Sequence, residues 1–279
     1  MTKHHTGTLA GVMNTNIFYQ AWVPENPVAT VIIVHGYAEH SGRYAHVASA
    51  LNEGGYAVWA LDHRGHGRSE GPRANVEHFE HFVADLAEFV RLVREQSGAR
   101  PLFLLGHSMG GLISTLYAFD HQHQLTGLVL SGPAFKLDEG VSPLLVGLSG
   151  VISAIAPKAK VTPFDASAVS RDPKVVAAYL ADPLNYKGGV QARMGREMLM
   201  NARTVQGRVA TLTLPVLVVQ GESDRLVSPK GTYAAFEAFG SADKTLHKYA
   251  EAFHEVLNEP EQAEIIPLIR AWLDAHLPK

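Results

Sequence analysis

No cysteine occurs among the 279 residues of the chain. That absence excludes a disulfide framework and any thiolate metal site, and it leaves the redox compartment open. Charge is also sparse: 24 Lys and Arg stand against 27 Asp and Glu, 18% of the chain, for a net charge of -3. Nothing basic enough to hold nucleic acid is present, and no acidic tract forms a solvating tail. Long apolar runs are missing too. The longest, Leu144 to Ala156, is broken by Gly147, Ser149, Gly150 and Ser153 and falls short of the roughly 20 residues a spanning helix needs. The amino terminus, Met-Thr-Lys-His-His-Thr-Gly-Thr-Leu-Ala, has no apolar core that would make a signal peptide. The expectation is a soluble, cytoplasmic protein without internal repeats or low-complexity tracts.

What the chain does have is 46% apolar residues, enough for one large α/β domain. Strands are expected at Ile17 to Val23 (an edge), Ala29 to Val34, Tyr56 to Leu61, Pro101 to Leu105, Gly127 to Leu130, Leu214 to Gln220 and Lys244 to Tyr249. Helices are expected at Ala45 to Gly54, His78 to Gln96, Met109 to Asp120, Lys230 to Phe239 and Pro260 to Leu277, the last with proline in its first turn. This alternation predicts a mostly parallel, doubly wound sheet. Between Ser131 and Arg208 it stops: prolines cut that stretch into short helical pieces with no clear strand. The chain therefore divides into a core in two parts, 1–132 and 209–279, and an inserted helical cap, 133–208.

Gly106-His107-Ser108-Met109-Gly110-Gly111 lies between a predicted strand and a predicted helix. The flanking glycines let strand and helix approach closely, so a sharp turn lifts the Ser108 hydroxyl above the sheet. Serine is a weak nucleophile and needs a base, which an acid orients; both should follow in the order Ser, Asp, His at strand ends. Asp224, in Gly221-Glu222-Ser223-Asp224, is the expected acid, with Glu222 as alternative. His254 is the expected base. Of the 15 histidines, it alone follows the last predicted strand and precedes the last helix, while His247 lies within that strand. An oxyanion hole needs two donors. The backbone N–H groups of Met109 and of Tyr37, in His35-Gly36-Tyr37, are expected to supply them. His63 and His66 lack the further ligands of a metal site and read as structural loop residues. The reaction scheme needs neither metal nor cofactor.

Taken together, three pieces resemble the monoacylglycerol lipases and their lysophospholipase-like relatives within the α/β-hydrolases. They are His35-Gly36-Tyr37-Ala38-Glu39-His40-Ser41-Gly42-Arg43-Tyr44, Leu61-Asp62-His63-Arg64-Gly65-His66-Gly67-Arg68-Ser69 and the segment around Ser108. Ser170-Arg171-Asp172-Pro173, Ala181-Asp182-Pro183-Leu184 and Gly221-Glu222-Ser223-Asp224-Arg225-Leu226 extend the likeness over nearly the whole chain. Tyr37 departs from it, standing where these proteins often carry a small residue, so its ring could narrow the site. The resemblance implies an α/β-hydrolase fold and a fatty-acyl glycerol ester as substrate. It also implies that Glu39 and Arg43 organise the oxyanion loop and that Tyr179 faces a glycerol head group; the alternatives are a surface salt bridge and a packing tyrosine. A lysophospholipase, a short-chain esterase, a peptidase-like hydrolase and a non-catalytic ligand-binding protein remain as other readings. Pro143 to Ile152 is apolar nearly all round. Either it lines an acyl tunnel on one face and meets a membrane or micelle surface on the other, with Leu145 and Ile152 as candidates for the outer face, or it is plain packing.

Overall fold

The structure, a computed structural model, describes residues 2–137, 139 and 143–278, with the side chains of 143–145 outside that description. Its centre is an eight-stranded sheet. The strands are β1 (Lys3–Ala10), β2 (Asn16–Val23), β3 (Ala29–Val34), β4 (Tyr56–Leu61), β5 (Leu102–His107), β6 (Gly127–Ser131), β9 (Val216–Gly221) and β10 (Lys244–Tyr249). Their order is β1-β2-β4-β3-β5-β6-β9-β10. β2 pairs antiparallel with both β1 and β4, and all other pairings are parallel, so β2 alone runs against the rest.

β3 shows why these residues form a central strand. Its run Ala-Thr-Val-Ile-Ile-Val is buried throughout. Ile32 and Val34 enter one apolar cluster, and Val31 and Ile33 enter the other on the opposite face. Helices cover both clusters. α2 (Glu80–Ser97), α3 (Met109–His121) and α7 (Pro229–Ala238) lie on the first face; α1 (Ala45–Glu53) and α8 (Gln262–Ala275) lie on the second. After β3 the chain moves to one side to form β4, then crosses back to form β5 on the other. Such a reversal opens a crevice at the carboxyl ends of the strands, and Ser108 follows β5 directly.

The structure corrects the sequence reading at three places. Ile17 to Val23 is not an edge, because β1 pairs outside it from Lys3↔Val23 to Ala10↔Asn16. β1 shows no alternation, since nearly all of it is exposed. It is held by backbone pairing and by His4 stacked on Trp22, ring centroids 5.0 Å apart. Pro260 precedes the closing helix rather than opening it, and Pro267 lies within it. Between β6 and β9 there are strands after all: β7 (Lys160–Thr162) and β8 (Val190–Gln191) form a two-stranded antiparallel ribbon. That segment also carries α4 (Pro143–Ile155), α5 (Pro173–Ala181) and a long α6 (Ala192–Arg208). The buried stripe Met194, Met198, Ala202 and Val205 seats α6 on the first apolar cluster.

Candidate active site

Ser108 sits at φ 53° and ψ -118°, a conformation that side chains other than glycine rarely adopt. The chain around it tolerates no bulk. A Cβ on Gly110 would lie 1.9 Å from the carbonyl oxygen of Val34. Gly110 thus lets α3 pass against the end of β3, and Gly106 lets β5 meet α3, since a Cβ there would lie 2.6 Å from the Gly110 carbonyl oxygen.

The structure brings Ser108, His254 and Asp224 together from three strand ends. Asp224 Oδ2 lies 2.7 Å from His254 Nδ1, and His254 Nε2 lies 2.8 Å from Ser108 Oγ. A carboxylate accepts only, so Nδ1 carries the proton and Nε2 is left to accept from the serine. Asp224 Oδ1 accepts the backbone N–H groups of Leu226 and Val227, which fixes the carboxylate. Glu222 takes no part: it is exposed and accepts from Tyr233. Arg225 pairs with Asp165, not with Asp224. Burial pushes the His254 pKa down, but the charge and hydrogen bond of Asp224, with Glu255 and Glu39 behind, hold it above its ordinary value. The same exchange keeps the Asp224 pKa low against the cost of its burial.

The loop after β3 abuts the serine. A Cβ built on Gly36 would lie 3.2 Å from Ser108 Cβ. The Gly36 N–H is already bonded to Glu39 Oε1 at 2.6 Å, so it is not a free donor. Tyr37, the next residue, lines the cavity beside Ser108. Its ring meets His66, Phe164 and Tyr186 edge-on, and its hydroxyl donates to the Ala74 carbonyl. Met109 is the first residue of α3, where a backbone N–H has no partner within the helix.

Glu39 and Arg43 do not form a surface pair. Arg43 Nη1 donates to Glu39 Oε2, and both its terminal nitrogens reach Glu255, all at 2.7 Å. Tyr44 adds a hydrogen bond to Glu39 Oε1, and Asn258 one to Glu255. The two carboxylates are 2% and 4% exposed, so the cluster lies out of water. Burial opposes the Glu39 charge, yet Arg43 first among its partners keeps its pKa below the ordinary value. Sequence reasoning missed Glu255. It stands next to His254, but its partner Arg43 is 212 residues away, and no local pattern joins them.

Tyr179 is a packing residue and not an open head-group contact. It is 1% exposed, donates to the Ala38 carbonyl at 2.9 Å, stacks on Phe164 and lies 4.9 Å beneath the Arg43 guanidinium. It holds the loop of Glu39 from the α5 side. Asp182 does the same through His40 Nε2, at 2.9 Å. His63 and His66 are buried against His35, as structural loop residues would be. No cluster among the described residues could hold a metal ion.

A cavity of about 130 Å³ opens on Ser108 and His254. A second, of about 370 Å³, adjoins it, sharing Leu137, Thr162, Pro163, Val190, Met198 and Leu226. It runs beneath α4, whose Val146 and Ile152 line it. Ile152 therefore faces inward, which corrects its assignment to a lipid-facing surface; Leu145 lies outside the described side chains.

The sequence profile described as "Serine aminopeptidase, S33" matches residues 25–261. A monoacylglycerol lipase of Mycolicibacterium smegmatis is 41% identical over 97% of both chains. The chain belongs to the monoacylglycerol lipase family of the α/β-hydrolases. A rat (Rattus norvegicus) monoglyceride lipase is 37% identical over 92% of this chain and 86% of its own. The crystal structure of a Paleococcus ferrophilus monoacylglycerol lipase superposes with a TM-score of 0.80 at 28% identity, covering 98% of this chain and 99% of that one. Membership fixes the fold as that of an α/β-hydrolase and the chain as a carboxylic ester hydrolase. No helix among the described residues is long and apolar enough to cross a membrane.

Proposed function

We propose that this protein hydrolyses monoacylglycerols through an acyl-enzyme on Ser108. The observation that carries the reading is the Ser108–His254–Asp224 hydrogen-bond chain opening onto a confluent apolar cavity. Ser108 attacks the ester carbonyl as His254 takes its proton. The backbone N–H groups of Met109 and Tyr37 receive the developing oxyanion. His254 returns the proton to the departing glycerol oxygen, and water repeats the cycle on the acyl-enzyme. Asp224 holds the imidazole tautomer and stabilises its charged form.

The cavity beneath α4 suits a single acyl chain: its lining is mostly apolar, with the charged Glu139, Asp165, Arg196 and Arg225 as exceptions, and its size lies in the range of ligand sites. In this reading residues 133–208 act as the cap, and its outer face touches the membrane or micelle that presents the substrate. α4 has the surface for it: Leu148, Val151 and Ile155 point outward, 45%, 55% and 79% exposed. A peptidase reading fares worse. Binding a peptide's ammonium group requires a free carboxylate near the serine. The two that line the cavity, Glu39 and Glu255, are both engaged by Arg43.

The test is Ser108→Ala together with a substrate profile. The variant should fold, lose fluorophosphonate labelling and retain only the residual catalysis of the oxyanion hole, roughly 10³-fold above water. The wild type should prefer monoacylglycerols to lysophospholipids, short nitrophenyl esters and aminoacyl amides. Preference for the amides, or labelling that survives in Ser108→Ala, contradicts the proposal.

A further inference from the structure

We infer that Gly195 sets the depth of the acyl channel and is a specificity-determining residue for chain length; this rests on the monoacylglycerol reading above. Gly195 lies early in α6, a 17-residue helix. Glycine there destabilises a helix relative to alanine. Its φ is not positive, so the backbone does not demand it. The space does. Gly195 lines the deeper cavity but not the one at Ser108. A Cβ at this position would come 3.3 Å from Val190 Cγ1 and 3.9 Å from Val161 Cγ2. Any side chain would therefore project between two residues that form the channel wall, at a point past Met198.

Gly207, in the last turn of the same helix, gives the contrast. It is exposed, and a Cβ there would meet nothing within 4 Å. One helix thus contains a glycine that borders the channel and another that borders only solvent. Short acyl chains end before Gly195 and do not sense it. Longer chains pass it, and each methylene kept out of the channel loses about fourfold in binding.

The experiment measures kcat/KM for Gly195→Ile and Gly207→Ala across two series, monoacylglycerols and nitrophenyl esters, each from butyryl to oleoyl. Gly195→Ile should leave butyryl esters within about twofold of wild type and reduce oleoyl esters by tenfold or more, with the break at one chain length in both series. Gly207→Ala should leave both profiles unchanged. Val161→Phe fills the same space from β7 and should reproduce the break if Gly195→Ile does not fold. Loss that is uniform across chain lengths, or an unaltered profile in a folded variant, overturns the inference. A wild type that ignores the glycerol esters but hydrolyses the nitrophenyl series rejects the substrate reading instead, and the nitrophenyl profiles still decide the role of Gly195.

Discussion

Ser108 and Asp224 follow β5 and β9, strands in which every residue is buried. The segment between β6 and β9 packs by a different rule. In α5 only Tyr179 is buried, and α4 shows apolar residues to the cavity and to solvent alike. Ser108 and Asp224 thus hang from an interior packed on both faces. The wall they look out on is a thin layer whose own outside is apolar. Chemistry needs atoms fixed to fractions of an ångström, which the sheet provides. Accepting a greasy chain needs a surface that is not fully satisfied without it, which α4, α6 and the β7–β8 ribbon provide. The charge clusters divide in the same way: Arg43 with its two glutamates is buried beside Ser108, while Arg225 and Asp165 pair at the surface.

The largest expected effect lies on the sheet side. Asp224→Asn presents an amide to His254 Nδ1 and favours the wrong tautomer, so kcat on a soluble short-chain ester should fall by about 10⁴-fold. Glu222→Gln should change it by less than twofold. The wild-type activity must also rise with pH as His254 loses its proton. Because the histidine is held above its ordinary pKa, the midpoint of that rise should lie above about 6.5. Equal losses in the two variants would break the assignment of Asp224.

Next in size is the buried charge cluster. Arg43→Met leaves Glu39 and Glu255 buried without their cation, and breaking such a pair costs about 3–5 kcal/mol. Arg225→Met removes an exposed pair, for which about 0–1 kcal/mol is expected. Thermal or urea unfolding of both variants measures the contrast directly. Similar destabilisation in the two would mean that burial does not separate the two regions.

Acid should also act on the sheet side first. His35, His63 and His66 lie together where the loops after β3 and β4 meet, and burial keeps all three neutral. The pKa of His66 is lowered to about 4, whereas an unfolded histidine titrates near 6.5. Between those values the unfolded chain binds more protons, so stability is complete above about pH 6.5 and falls as the pH drops toward 4. His66 alone corresponds to roughly 3 kcal/mol over that interval. Melting temperatures taken at steps between neutral and pH 4 should decline, and less steeply in His66→Gln. A slope unchanged by that substitution would place the acid sensitivity elsewhere.

The same division decides what the sequence makes legible. Buried parallel strands announce themselves as short apolar runs, and Ala29–Val34 and Tyr56–Leu61 are read to the residue; the half-buried edge strand Lys244–Tyr249 is too. That Ser108, Asp224 and His254 converge is also foreshadowed, because their order at successive strand ends is visible in the sequence. β1 is invisible because an exposed edge strand is selected by backbone pairing and not by side-chain period. The β7–β8 ribbon is too short for a pattern to develop. Glu255 is hidden because its meaning depends on Arg43, brought to it only by the fold. Tyr179 is placed in the right neighbourhood, but whether a tyrosine faces a ligand or a carbonyl depends on burial that sequence does not show.

The smallest effect belongs to the outer face of α4. Leu148, Val151 and Ile155 recur at helical spacing on one side, and Val146 and Ile152 line the cavity on the other. An aspartate at position 151 or 155 leaves the cavity lining untouched. Ser108, Asp224 and His254 lie on the sheet, so Val151→Asp and Ile155→Asp should hydrolyse a dissolved short-chain ester as the wild type does. Transfer of apolar surface to a lipid aggregate contributes about 25 cal/mol per Å², and a partly exposed valine or isoleucine offers only part of its area. The expected loss is therefore several-fold, seen as weaker sedimentation with vesicles and slower turnover of oleoylglycerol presented in them. Ile155 is the more exposed of the two, so it should give the larger loss. Ile152→Asp should behave differently, slowing long-chain esters even when they are dispersed as monomers, because it puts a charge in the channel. If the outer-face and inner-face variants lost vesicle and monomer activity in the same proportion, α4 would be ordinary packing on both sides.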